Sequence, residues 1–160
     1  MTTPASLPAR SRLVHDAIRA VGITGDIVVL PDAASTAPLA AAALGVEVGA
    51  IANSLVFFCD GAPLLVMTSG AHRVDTAALA QRLGLGKIQR ATPEQVREAT
   101  GQAIGGVAPV GHPKPIRTLV DTTLAAFDVV WAAGGIPHAV FPTTFDELVR
   151  VTTGTPAEVA

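Results

Sequence analysis

Hydrophobic residues follow two patterns along the chain, and each pattern predicts its own kind of element. Over residues 9–21, apolar side chains recur at close to helical spacing, and Gly22 follows as a terminator. Later segments begin with a capping residue or an early proline and end at or near glycine, which is typical of helices. The predicted helices cover residues 9–21, 37–44, 77–83, 93–99 and 143–150.

Short apolar runs predict strands between these helices, and Asp60-Gly61 separates two of the runs in the manner of a tight hairpin. The predicted strands cover 27–30, 51–59, 64–68, 88–91, 116–120, 129–132 and 138–141, with a turn or short helix at 121–127. Because helices and strands mix rather than strictly alternate, we expect an α+β (mixed α/β) fold. Its sheet should be curled, mostly antiparallel or mixed, and surrounded by helices.

Composition indicates one folded unit. Apolar residues make up 49% of the 160 residues and charged residues 15%, which is enough apolar surface for a sizeable core. We expect a single domain over 9–160, preceded by a mobile polar lead at 1–8. No apolar run reaches the roughly 18 residues of a membrane span, and the first residues lack the basic start of a secretory signal. These features predict a cytoplasmic protein with no membrane partner.

The charge balance limits the nucleic acids that the protein can hold. Eleven basic and thirteen acidic residues give a net charge of −2, whereas gripping a long nucleic acid requires many phosphate contacts. We therefore expect no DNA partner, while a short terminus such as a tRNA acceptor end is compatible with this balance.

Side chains that carry covalent or metal chemistry are sparse. Cys59 is the one cysteine, which leaves no pair for a disulfide or a metal cluster. The four histidines show no metal-binding spacing, and neither a Walker loop nor a nucleophile elbow occurs. We predict neither a metal nor an organic cofactor.

A glycine-rich loop at residues 105–111 is the most distinctive stretch, with Gly105, Gly106, Pro109 and Gly111. Glycine lets another molecule approach the main chain closely, and proline fixes the local backbone. The loop therefore exposes backbone N–H groups with almost no side-chain chemistry, which suits an ester or phosphate oxygen. A tight structural connection is the other interpretation.

Four segments of the chain carry a resemblance when they are taken together and in order. They are 51–57 followed by 60–61, then 68–75, then 100–111, and last 120–121 with 133–135 and His138. This ordered set resembles the YbaK/ProX family, the editing domains related to the insertion domain of bacterial prolyl-tRNA synthetases. The resemblance covers residues 37–150, which is most of the chain.

The resemblance implies a compact mixed α/β fold that hydrolyses mischarged aminoacyl-tRNA in trans, commonly tRNA for proline. It implies that Gly105, Gly106 and Pro109 shape the site for the carbonyl oxygen and the attacking water. Asn53 and Ser54 would orient the acceptor end, and His138 would line the aminoacyl pocket. Ile51 and Gly134, which lie in the same segments, are also expected at the substrate. A prolyl-tRNA synthetase is an implied partner.

One position departs from the family, because Asn53 stands where a lysine is usual. A neutral amide loses the charge-assisted contact that a lysine makes with phosphate. Three hypotheses follow: a deacylase in which another basic residue such as Arg73 or Lys114 substitutes, a non-catalytic module that binds aminoacyl-tRNA or a synthetase, and a hydrolase of other small aminoacyl esters. The amino acid removed stays open among alanine, serine, threonine, cysteine and non-protein analogues.

Overall fold

The computed structural model describes residues 6–160. Each helix begins where the sequence supplies a cap or a proline; Thr92, for example, forms a reciprocal capping box with Gln95, and Pro93 opens the helix. The helices are α1 (Ala9–Ala20), α2 (Ala37–Leu44), α3 (Thr76–Leu83), α4 (Pro93–Thr100) and α5 (Phe145–Thr152).

Eight strands form one mixed sheet within the described residues, seven of them at positions that the sequence predicts. They are β1 (Val28–Val29), β2 (Ile51–Cys59), β3 (Ala62–Ser69), β4 (Ile88–Arg90), β5 (Arg117–Asp121), β6 (Val130–Ala133), β7 (Ala139–Thr143) and β8 (Thr155–Ala157). Their order is β1-β7-β6-β2-β3-β5-β8, and β4 also pairs with β2. The β2–β6, β3–β5 and β5–β8 pairs are parallel, and the others are antiparallel.

The β2–β3 hairpin contains the two longest strands and lies at the centre of the sheet. Asp60 and Gly61 form its turn with φ values of 54° and 78°, the left-handed pair that a two-residue hairpin needs. Pairing then continues from Cys59–Ala62 to Ala52–Ser69, so the turn fixes the register of the longest strands.

Helices cover both faces of this sheet. Helices α1 and α5 bury Val14, Ile18 and Leu148 in the main core, against Met67 and Phe141 of the sheet. The opposite face packs against α3 through a second cluster, and the short alanine-rich α2 closes a third cluster around Ile51 and Val140. The small side chains of α2 bring its backbone close to β2, beside the site described below.

The structure differs from the sequence prediction mainly at chain segments with weak local preference. β8 was not predicted, because Pro156 cannot donate to a ladder; it pairs with β5 in parallel. The 121–127 segment, predicted as a turn or short helix, is indeed a 3₁₀ helix at Thr122–Ala126. Leu7 of the predicted mobile lead is buried in the main core, and residues 1–5 lie outside the described part of the chain. No helix in residues 6–160 is long and apolar enough to cross a membrane.

Candidate functional site

A cavity of about 730 Å³ opens where the sheet is incomplete. One wall is β2, and the glycine loop, the start of α2, and the ends of β4 and β6 supply the others. The polar or loop residues that line it are Ser35, Thr36, Asn53, Ser54, Arg73, Val74, Thr76, Arg90, Ala91, Ile104, Gly105, Gly106, Val107 and Pro137. Segments far apart in sequence therefore meet at one site.

The glycine loop enters this cavity with its backbone in a left-handed conformation. Gly105 and Gly106 have φ values of 81° and 99°, which L side chains rarely adopt. A Cβ on Gly106 would lie 2.4 Å from the carbonyl carbon of Ile136, so the loop packs against backbone there. The N–H groups of Gly105, Gly106 and Val107 donate to no other residue in 6–160. The cavity wall thus carries three consecutive free amides.

One side chain, Gln102, holds the base of the glycine loop. Its Oε1 accepts from the Ala108 N–H at 2.8 Å, and its Nε2 donates to the Val110 carbonyl at 3.2 Å. A second tie joins two loops, since the Gly135 N–H donates to the Gly106 carbonyl at 3.0 Å. The loop is therefore fixed before any ligand arrives, which is what preorganised donors require.

His112 closes the far end of the glycine loop. Its Nε2 lies 2.8 Å from the Ala108 carbonyl oxygen, and a carbonyl can only accept, so Nε2 carries the proton. Burial lowers the pKa of His112 below 6.5, while the hydrogen bond to Ala108 works in the opposite direction. Nε2 can donate this bond in both the neutral and the protonated ring, and burial favours the neutral one.

The polar side chains of the cavity are positive or neutral. Arg73 and Arg90 are exposed, line the cavity, and form no ion pair or hydrogen bond with another described residue. Asn53 is half-buried, and its side-chain amide also has no partner within 6–160. No carboxylate lines the cavity in the described chain. The site therefore favours an anionic ligand.

The predicted site residues divide into two groups. Ile51, Asn53, Ser54, Gly105 and Gly106 all line the cavity. Ser54 directs its hydroxyl to the Met67 sulfur at 3.2 Å, so its side chain is already engaged within the protein. These five residues come together although the sequence separates them by about fifty positions.

Three other predicted residues lie behind the cavity wall. Pro109 and Gly134 are buried, and neither lines the cavity. His138 sits between two lining residues, but its Nε2 lies 3.3 Å from Asp32 Oδ1. Pro109 and Gly134 therefore shape the loops from within, and the substrate contact of His138 stays a prediction.

A buried network that the sequence did not single out supports the segment carrying Arg73. Asp121 is fully buried; its Oδ2 accepts from the Ser69 N–H at 2.9 Å and lies 2.9 Å from His72 Nδ1. Its Oδ1 accepts from the Thr123 N–H at 3.0 Å. His72 and Asp121 both lie in segments that carry the family resemblance. Their contact depends on the pairing of β3 with β5, which the sequence does not show.

No metal centre is apparent in residues 6–160, since no group of three His, Cys, Asp or Glu side chains there is placed to hold an ion. The chemistry available at the cavity is therefore that of free backbone amides, two guanidinium groups and neutral hydroxyls and amides. Such groups bind and polarise an ester or phosphate, and none of them is a strong base.

Comparison with protein families agrees with this geometry. The model for the aminoacyl-tRNA editing domain matches residues 31–151. A crystal structure of a candidate trans-editing enzyme for prolyl-tRNA synthetase superposes with a TM-score of 0.91 at 42% identity, covering 96% of this chain and 98% of that one.

Two curated relatives also match the chain. Protein YwhH of Bacillus subtilis (strain 168), itself uncharacterized, is 31% identical over 124 residues, which is 77% of this chain and 78% of YwhH. The proline–tRNA ligase of Nitratidesulfovibrio vulgaris (strain DP4) is 34% identical over 91 residues, or 57% of this chain. That stretch is 16% of the ligase, so the similarity concerns only a small part of it.

Proposed function

Since the chain belongs to the aminoacyl-tRNA editing domain family, we propose that it is a trans-acting deacylase that hydrolyses the ester of a mischarged tRNA. One observation carries the proposal: three free amides, at Gly105, Gly106 and Val107, form part of the wall of a cavity that two unpaired arginines also line. Donors of this kind stabilise the oxyanion that develops when water attacks a carbonyl.

The reaction needs little from side chains. Water attacks the carbonyl carbon, the carbonyl oxygen becomes an oxyanion held by the loop amides, and the ribose oxygen leaves with a proton. One well-placed oxyanion donor is worth about 2.7–4 kcal/mol of barrier. An aminoacyl ester is already reactive, and the neighbouring ribose hydroxyl is positioned to pass the proton. Positioning and polarisation therefore suffice.

The substrate we propose is tRNA for proline carrying a small wrong amino acid. The matching stretch of a proline–tRNA ligase and the neighbouring trans-editing structure support this choice. Selection would act by size, and each methylene that fails to fit is worth about 1–3 kcal/mol. The acceptor end would supply the phosphates, and prolyl-tRNA synthetase would be the partner that releases the mischarged product.

Asn53 supports a second candidate, a module that binds aminoacyl-tRNA without hydrolysing it. The amide at this position carries no charge, so a contact made by the family lysine is absent. Arg73 and Arg90 favour the deacylase, because they line the same cavity and are free to meet phosphate. One guanidinium group can donate two parallel hydrogen bonds to a phosphate, so either arginine can take over the phosphate contact of the family lysine.

Deacylation of a panel of mischarged tRNAs tests the proposal. The panel carries alanine, serine, threonine or cysteine on tRNA for proline, with the same amino acids on their own tRNAs. We expect turnover of one or two species, and a loss of about 100-fold or more in Gly105→Ala, whose φ of 81° a side chain would strain. Gly84→Ala is the matched control, since Gly84 also has a positive φ of 64° but lies outside the cavity. Tight binding with no turnover of any species would establish the binding module instead.

A further inference from the structure

The edge of β2 that faces the cavity is left uncovered over four residues. On this edge β6 pairs with β2 only as far as Ala52, and β4 begins its pairing at Phe57. Between them, one bond reaches the edge: the Ala91 N–H donates to the Val56 carbonyl at 3.3 Å. Over residues 53–56, β2 therefore has no neighbouring strand on its cavity side.

Strand geometry identifies which backbone groups point into this gap. The Ile51 carbonyl accepts from the Gly70 N–H at 2.7 Å on the β3 side, and the Val56 carbonyl accepts on the opposite side. Because successive residues of a strand direct their N–H and C=O to opposite edges, Ser54 and Val56 share the open edge. The N–H and C=O of Ser54 and the N–H of Val56 are left without a strand partner, and both residues line the cavity.

These groups form a small recognition edge of defined polarity. The Ser54 carbonyl and the Val56 N–H are two residues apart on one edge, so an acceptor and a donor stand side by side. Adenine and cytosine each carry an amino group next to a ring nitrogen, which complements this pair. Hypoxanthine and uracil carry a carbonyl oxygen next to a ring N–H, which reverses the pattern and opposes like groups.

We propose that this edge binds the amino-bearing base at the end of the acceptor strand, the terminal adenine, through the Ser54 carbonyl and the Val56 N–H. The proposal rests on the proposed function, because the ester of that adenosine must reach Gly105 and Gly106 in the same cavity. It assigns base recognition to backbone atoms, so neither the serine hydroxyl nor the valine side chain carries the specificity.

A nucleotide fits this edge better than an added peptide strand. β6 and β4 close the gap at its two ends, so only three backbone groups, on Ser54 and Val56, are open. The cavity is also lined by Arg73 and Arg90 with no lining carboxylate among the described residues, which favours a phosphate-bearing ligand. A peptide strand would need a longer open edge, and its backbone carries no charge.

A titration with two mononucleotides tests the base preference without relying on catalysis. We expect adenosine 5′-monophosphate to shift the backbone ¹⁵N–H resonance of Val56, and to bind at least about tenfold more tightly than inosine 5′-monophosphate. The two ligands differ only in the pattern at the base edge. Equal affinities, or shifts that spare Ser54 and Val56, would overturn the proposal.

Replacing the Val56 amide by an ester, through incorporation of α-hydroxyisovaleric acid, tests the donor itself. We expect the preference for the adenine nucleotide to disappear while the melting temperature falls only slightly. This N–H has no partner within the sheet, and the ester only weakens the Leu55 carbonyl as an acceptor for Val66. The same replacement at Val66 is the matched control: its amide pairs with Leu55, and it lies outside the cavity. That variant should melt earlier and keep the preference. An unaltered preference in the Val56 ester would overturn the proposal.

The two tests separate this inference from the deacylase assignment. If the protein prefers the adenine nucleotide but deacylates no tRNA, the recognition edge is supported and the deacylase proposal is contradicted. Deacylation with equal rates on tRNA ending in adenosine or inosine supports the enzyme and removes the recognition edge.

Discussion

Asn53 is the residue at which this chain departs most informatively from the lysine usual in the family. It lies in the middle of β2, half-buried in the cavity wall, and its amide meets no other described residue. A polar group left free inside a cavity is costly unless a ligand or water satisfies it. The amide at this position is therefore available to a ligand or to water, with hydrogen bonds in place of charge.

Asn53→Lys should strengthen substrate binding by restoring a charged donor at this position. We expect KM to fall about fivefold with kcat little changed, because a charge-assisted bond exceeds a neutral one by roughly 1 kcal/mol. Steady-state kinetics on the best mischarged tRNA measure this. Asn53→Gln, which adds length without charge, should leave KM near the wild-type value; equal effects of the two variants would contradict the charge argument.

At the scale of elements, the glycine loop depends on Gln102, which sequence patterns did not indicate. Its amide bonds to both sides of the loop, at Ala108 and Val110. Gln102→Met keeps the side-chain length and removes both bonds, so the loop should sample other conformations. We expect a fall of roughly tenfold or more in kcat, because preorganised donors lose their alignment.

Hydrogen exchange distinguishes a loosened loop from a damaged fold in Gln102→Met. The Ala108 amide should exchange faster, because its acceptor is gone, while amides of the β2–β3 hairpin keep their protection. Gln95→Met is a suitable control, since Gln95 caps α4 outside the cavity. Unchanged exchange at Ala108 would show that the hydrogen bond does not hold the loop.

The pH dependence of stability belongs to the same loop. Because burial lowers the pKa of His112 below 6.5, the unfolded chain binds this proton more readily than the folded one. The contribution of neutral His112 to the free energy of unfolding is therefore complete above about pH 6.5, and it is lost as the pH falls toward the folded-state pKa. Thermal melts between about pH 7.5 and 5.5 should show a smaller loss of stability in His112→Gln than in wild type. His15→Gln, on α1, is the control and should follow the wild type.

The sequence predicted most elements because their signals are local. Caps such as Thr92 and the turn Asp60–Gly61 fix where helices and hairpins begin, independently of distant contacts. Local signals could not predict the open edge of β2. That edge depends on how far β6 and β4, which come from distant parts of the chain, pair along β2. Gln102 and the Asp121 network are likewise visible only after the fold brings their partners together.

The same distinction applies to the candidate site. Glycine content marked the loop, and the resemblance marked Asn53, Ser54 and His138. Which side chains face the cavity is a property of strand alternation and packing. Arg90 shows this, since it ends a three-residue strand and nothing in its local sequence separates it from the other surface arginines.

On the scale of the whole molecule, a net charge of −2 contrasts with a cavity lined only by arginines among its charged residues. The protein thus concentrates its attraction for phosphate at one place and repels nucleic acid elsewhere. Such a distribution favours a short nucleic-acid end over a long helix.

Arg73→Ala and Arg90→Ala should each raise KM about three- to tenfold and leave kcat nearly unchanged, because they act on phosphate in both ground and transition states. Each should also reduce the slope of log KM against log salt by about 0.7, the value for one single-strand phosphate contact. Arg12→Ala, on the exposed side of α1, is the control. If the slope of log KM against log salt equals the wild-type slope in both variants, these arginines do not bind phosphate.

The cavity walls extend from Ser35 to Val140 and involve four of the eight strands, which links occupancy of the site to folding of the entire domain. A ligand held between such walls binds the native state alone, so it stabilises every element at once. At one hundred times its dissociation constant it adds about 2.7 kcal/mol to the free energy of unfolding. Melting curves recorded with nucleotides, aminoacyl analogues and acceptor-stem fragments would therefore rank ligands on one scale, whether or not hydrolysis follows.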